Sequence, residues 1–148
     1  MRILVIASVL AAVAGPAFAL VRGTTDTGRD YVTGGIGSDE MATLRQERSR
    51  YPLAVLTAAT GTGAYLSDVH LHIVDEHAQA VLDVVMDGPW LYVDLPPGRY
   101  TIEAGLDGKI KKSSLTLASG AHQQATFYFD THDEVEPAGP PQAAAGGQ

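Results

Sequence analysis

The sequence predicts an all-β protein, a seven-stranded antiparallel β-sandwich with one short N-terminal helix. Three observations carry that expectation. From Tyr51 to Asp130, short apolar stretches alternate with turn signals every eight to twelve residues. Within Arg99–Leu106, the side chains of Tyr100, Ile102, Ala104 and Leu106 alternate with Arg99, Thr101 and Glu103, the period of a half-buried strand. Asp107-Gly108 then offers the residue pair that a two-residue type I′ hairpin requires.

Read in order, the candidate strands are Leu53–Ala59, Val69–Val74, Ala80–Val85, Trp90–Asp94, Arg99–Leu106, Lys109–Leu117 and Ala125–Phe129. The turns between them hold Thr60-Gly61-Thr62-Gly63, Asp75-Glu76-His77, Asp87-Gly88-Pro89, Pro96-Pro97-Gly98, Asp107-Gly108 and Ala118-Ser119-Gly120. Two places resist the pattern. Ile110 lies on an even position but Leu115 and Leu117 on odd ones, so a bulge is expected near Lys112–Ser114. In Trp90–Leu95 both faces are apolar, which requires a cover over one of them. A helix from Ser38, with Ser38 as N-cap and Met41 and Leu44 on one stripe, is the candidate cover. Its Arg45, Glu47, Arg48 and Arg50 are expected to face water.

The ends read differently. Arg2, an apolar run from Ile3 to Ala14, Gly15-Pro16 and Ala17-Phe18-Ala19 compose a secretory signal, with cleavage expected after Ala19. The run is too short for a span, which needs about 20 apolar residues. The expected organisation is therefore a signal peptide at 1–19, a flexible leader at 20–37 and a short helix at 38–50. A β-sandwich follows at 51–130, then a disordered acidic, Pro-Ala-Gly tail at 131–148. The expected location is periplasmic or secreted, with no membrane span after cleavage.

Composition narrows the chemistry. Of 148 residues none is cysteine or asparagine, which excludes disulfides, thiolate metal sites, a cysteine nucleophile and N-glycosylation. A formal charge of −7 argues against nucleic acid and anionic membrane surfaces.

The stretch from about Val69 to Phe129 resembles the carboxypeptidase regulatory-like domains, part of the wider transthyretin-like (prealbumin-like) sandwiches. The residues that carry the resemblance are the strand VHLHIVD, a second strand ending at Asp87-Gly88 and an aromatic-led strand from Trp90. Leu95-Pro96-Pro97-Gly98-Arg99-Tyr100, the Asp107-Gly108 hairpin and a closing aromatic strand complete it. A family glycine is absent from the first hairpin, where Asp75-Glu76-His77-Ala78 stands. The resemblance implies an architecture used for interaction, folding support or carbohydrate contact without catalysis of its own. It also implies that Tyr100 and the aromatics after the glycine turn point inward. The His/Arg constellation and C-terminal tetrapeptide of the transthyretin-like hydrolases are missing.

No catalytic motif emerges. There is no G-x-S-x-G, the carboxylates are scattered, and Gly61-Thr62-Gly63 lacks the third glycine of a dinucleotide fingerprint. His70-Leu71-His72 places two imidazoles on one strand face, a metal pair if a third ligand approaches, with Asp68 on that face and His77 just past its end. Trp90, Tyr92 and Tyr65 offer a candidate binding face. The Lys109, Lys111 and Lys112 run is expected to guard an edge strand. The sequence thus predicts a non-catalytic interaction module of the cell envelope that needs no cofactor and recruits a protein partner by an edge strand or the Trp90/Tyr92 face. A carbohydrate-binding module using Trp90/Tyr92 and a His70/His72 metal-binding protein are the alternatives.

Overall fold

The computed structural model describes residues 19–131. The expected signal, up to Phe18, and the expected tail from His132 onward lie outside them. In chain order come β1 (Val21–Thr24), β2 (Asp30–Gly34), α1 (Ser38–Glu47) and a 3-10 turn (Arg48–Arg50). Then follow β3 (Leu53–Ala59), β4 (His70–Asp75), β5 (Ala80–Val85), β6 (Trp90–Val93), β7 (Gly98–Leu106), β8 (Lys109–Leu117) and β9 (Gln123–Phe129). Two sheets result, one ordered β1-β2-β6-β3-β9 and the other β5-β4-β7-β8.

Alternation puts one face of each sheet into a shared core. Leu53, Val55, Leu91, Val93, Phe127 and Phe129 from the first sheet meet Leu71, Ile73, Leu82, Ile102, Ala104 and Leu117 from the second. Tyr100 points inward as expected, and its hydroxyl donates to the Pro96 carbonyl at 2.7 Å, pinning the Pro-Pro corner.

The strand count and pairing correct the sequence reading in two ways. Nine strands are present among the described residues rather than seven, and β3 pairs with β9 in parallel, so the sandwich is not wholly antiparallel. The two extra strands lie where a flexible leader was expected. β2 buries Val32, Thr33 and Gly34 against β6, and its hairpin with β1 closes where Gly23 lets the Tyr31 ring lie over the backbone. A Cβ at Gly23 would fall 2.6 Å from that ring. Only Val21, Tyr31 and Val32 carry large apolar groups in these two strands, too few to display a period.

The bulge is also elsewhere. β8 pairs with β7 in unbroken register from Gly98↔Leu117 to Leu106↔Lys109, so Leu115 and Leu117 face inward and Ile110 faces solvent. The shift instead falls between Ile73 and Val74, where Val81 of β5 is the extra residue. That turn explains the missing glycine. Asp75 Oδ1 accepts the His77 and Gln79 N–H groups at 2.9 and 3.0 Å, holding Ala78 at φ 57°. A left-handed alanine costs about 1 kcal/mol, so Ala78→Gly is expected to raise the unfolding free energy by about that amount in urea denaturation.

Helix α1 is the cover that the apolar second face of β6 demanded. Leu44 packs with Val32, Tyr51, Ala54 and Tyr92, and Met41, Trp90 and Leu20 flank them. Ser38 is not the cap. Gly37 takes that place without a side-chain bond, and the buried Glu40 reaches back to accept the N–H groups of Gly35 and Ile36 at 2.8 and 2.9 Å. Arg48 also departs from expectation. It donates to the carbonyls of Tyr51 and Gln123 and lies over the Tyr92 ring at 5.4 Å.

A bidentate pair joins Arg22 of β1 to Glu47 of α1 at 2.9 and 2.7 Å. The Arg22 hydrogen bonds hold the Glu47 carboxyl below its ordinary range. A depressed carboxylate pKa stabilises the fold above its unfolded value and loses that contribution as pH falls through the folded one. Glu47→Gln is therefore expected to cost under about 1 kcal/mol at pH 7, with the gap from the parent chain closing in acid. Denaturant titrations of both proteins between pH 7 and pH 3 check this.

Candidate functional site

The outer face of the β5-β4-β7-β8 sheet is built from the residues that alternation turns away from the core. Strand register aligns them in rows. One row runs Asp83, His72, Glu103 and Lys112, and the next runs Val85, His70, Gly105 and Ile110. Because Gly105 has no side chain, the space between His70 and Ile110 stays open. The result is a shallow depression of about 340 Å³ lined by His70, His72, Asp83, Glu103, Gly105 and Ile110.

Polar contacts organise the floor. The Asp83 carboxylate touches both imidazoles, with Oδ1 against His70 Nε2 and Oδ2 at 3.4 Å from His72 Nδ1. Glu103 is held instead by Lys112 at 2.7 Å. Both carboxyl groups titrate below their ordinary range, Asp83 chiefly through its hydrogen bond with His70 and Glu103 chiefly through that with Lys112.

Asp83 was not foreseen as a partner of the histidines, and the reason is the bulge. Continuing the Val74↔Ala80 register without the extra Val81 would set Leu82 opposite His72. With it, Asp83 takes that place. The other described histidines, His77 and His122, lie apart. His77 sits in the turn beside Glu76 at 3.7 Å, and His122 Nδ1 lies 3.0 Å from the Tyr51 carbonyl. Asp68 is in the loop before β4, its N–H donating to Met86.

The aromatic face is divided. Trp90 and Tyr92 lie on the outer side of β6, while Leu91 and Val93 point inward, the reverse of what the resemblance implied. Tyr92 is only 3% exposed, its ring 6.0 Å from those of Tyr51 and Trp90, and burial raises its pKa. Tyr65 is 58% exposed and pairs with Ala58 of β3. On the other side of Ala58 stands Tyr128, also exposed. The parallel β3–β9 pairing brings Tyr128 to the same row as Tyr65.

The uncovered sheet edges complete the surface. β1, β5, β8 and β9 are the edges among the described strands. β8 has nine residues against four, six and seven for the others, and the β5 edge is partly capped where Asp26 N–H donates to Val81. The two-residue Asp107-Gly108 hairpin, with φ 50° and 77°, makes Leu106 and Lys109 the closing hydrogen-bonded pair. Counting along the ladder, the amides of Ile110, Lys112, Ser114 and Thr116 therefore point away from β7.

No family model matches the chain, and no curated protein matches it. Among solved structures, the 5-hydroxyisourate hydrolase of Klebsiella pneumoniae is similar over 53% of this chain and 83% of that one, at 15% identity and a TM-score of 0.43. No helix among the described residues is long and apolar enough to cross a membrane.

Proposed function

We propose that this chain is a non-catalytic module, exported to the periplasm or beyond, that recruits a protein partner by strand addition along β8. The observation that supports this reading is the length and continuity of that edge. Nine residues pair with β7 without a bulge, and no described strand pairs on the opposite side. There the Gln123 side chain donates to the Thr116 carbonyl at 2.5 Å and leaves the stretch from Ile110 to Ser114 as the edge to which a guest strand would add. An edge of this kind is a template for an incoming strand. Its side chains select the guest. Ile110 is two-thirds exposed and invites an apolar neighbour, and the exposed Lys111 favours an acidic extended segment over a second copy of the same strand.

Proline on the outward register tests it. Ser114→Pro removes an N–H that points to solvent and leaves the β7 ladder whole. Envelope proteins captured by the parent chain, and cross-linked through a photoreactive residue at position 110, are expected to be lost with Ser114→Pro. Equal capture by both chains contradicts strand addition. The carbohydrate reading has less support, because Tyr92 lies beneath α1 and Trp90 is partly covered by it. That reading requires Trp90 emission to move on addition of glycans, whereas a shielded, unresponsive Trp90 is expected here.

A further inference from the structure

Three side chains on the outer face of the second sheet combine in a way that strand addition does not use. His70 and His72 are two residues apart on β4, about 7 Å along one face. Asp83, brought opposite His72 by the β5 bulge, has one carboxylate oxygen turned to each imidazole. Two neutral imidazole nitrogens and one carboxylate make a donor set suited to a borderline divalent ion, with the remaining positions open to water. We propose that His70, His72 and Asp83 form a binding site for a divalent transition-metal ion of the zinc and copper(II) class.

The ligand-free arrangement fits this with a small adjustment. Around an ion bonded at about 2.0–2.1 Å, neighbouring ligand atoms stand roughly 3.0–3.4 Å apart. His72 Nδ1 and Asp83 Oδ2 already have that spacing at 3.4 Å. His70 and Asp83 touch each other more closely, so among the described residues no three such groups yet surround a common point. They must part to admit the ion. Both side chains are more than half exposed, so this rotation disturbs no packing. The depression above them, with Gly105 as its floor, leaves room for bound water or an exogenous ligand. Glu103 stands on the other side of His72 but is held by Lys112, and it is left out of the ligand set.

The test is calorimetric titration of the untagged chain with Zn²⁺, alongside single variants. One saturable equivalent is expected. His70→Ala, His72→Ala and Asp83→Ala should each weaken binding by roughly ten-fold or more, while His77→Ala, His122→Ala, His132→Ala and Glu103→Gln change it by less than about two-fold. Absence of a saturable heat, or unchanged affinity in any of the first three variants, overturns the site. A second measurement needs no variant. Loaded with one equivalent of Cu²⁺, the parent chain should give an electron paramagnetic resonance spectrum with coupling to two imidazole nitrogens. Coupling to none, or to a number other than two, overturns it as well.

Discussion

Gly88→Ala is expected to lower stability by about 3 kcal/mol or more and to loosen the β1–β2 hairpin from the rest of the first sheet. The cause is backbone contact, which no rotamer change can relieve. A Cβ on Gly88 would lie 2.4 Å from the carbonyl carbon and oxygen of Gly34. Around that contact Thr33 Oγ1 donates to the Trp90 carbonyl at 2.9 Å and accepts the Asp87 N–H at 3.2 Å, so a displaced Gly34 breaks both bonds. Trp90 reports the event, because its Cδ1 lies 2.8 Å from where a Gly35 Cβ would sit. Its emission should shift to the red as the hairpin lifts. Gly105→Ala is the control. Its Cβ would meet nothing closer than 3.8 Å, and urea midpoints should show almost no change.

Leu44→Ala carries the second large effect, a loss of about 2–5 kcal/mol. Leu44 is fully buried between Val32, Tyr51, Ala54 and Tyr92, at the contact through which α1 covers β6 and β3. A helix of ten residues has little stability of its own, so removing its anchor should release it and expose Tyr92. Equilibrium unfolding measures the cost, and the red shift of Trp90 shows where it falls. A loss below about 1 kcal/mol would mean that the helix only leans on the sheet.

How much of this was readable from the residues depended on how local each signal was. The Asp107-Gly108 turn, the inward Tyr100 and the need for a cover over the Trp90–Leu95 stretch follow from alternation and turn chemistry within a few residues. They appear as expected. Strands β1 and β2 have no such signal, because the packing there falls to Val32, Thr33 and Gly34 without an apolar period, and Tyr31 finds its place only against Gly23 and the core. The position of the bulge was misjudged for a related reason. Ile110 has a side chain suited to the core, yet a continuous ladder that buries Leu117 and partly buries Leu115 leaves it in solvent. That same misplaced bulge hid the pairing of Asp83 with the histidines, since one residue of register decides which β5 side chain stands beside His72.

Residue-resolved amide hydrogen exchange of the chain alone tests most directly whether β8 is an open edge. The amides of Lys111, Ser113 and Leu115 should be protected by β7, and those of Ile110, Lys112, Ser114 and Thr116 should exchange rapidly. Uniform protection along β8 would mean that the edge is already covered, and recruitment of a partner strand there would be contradicted.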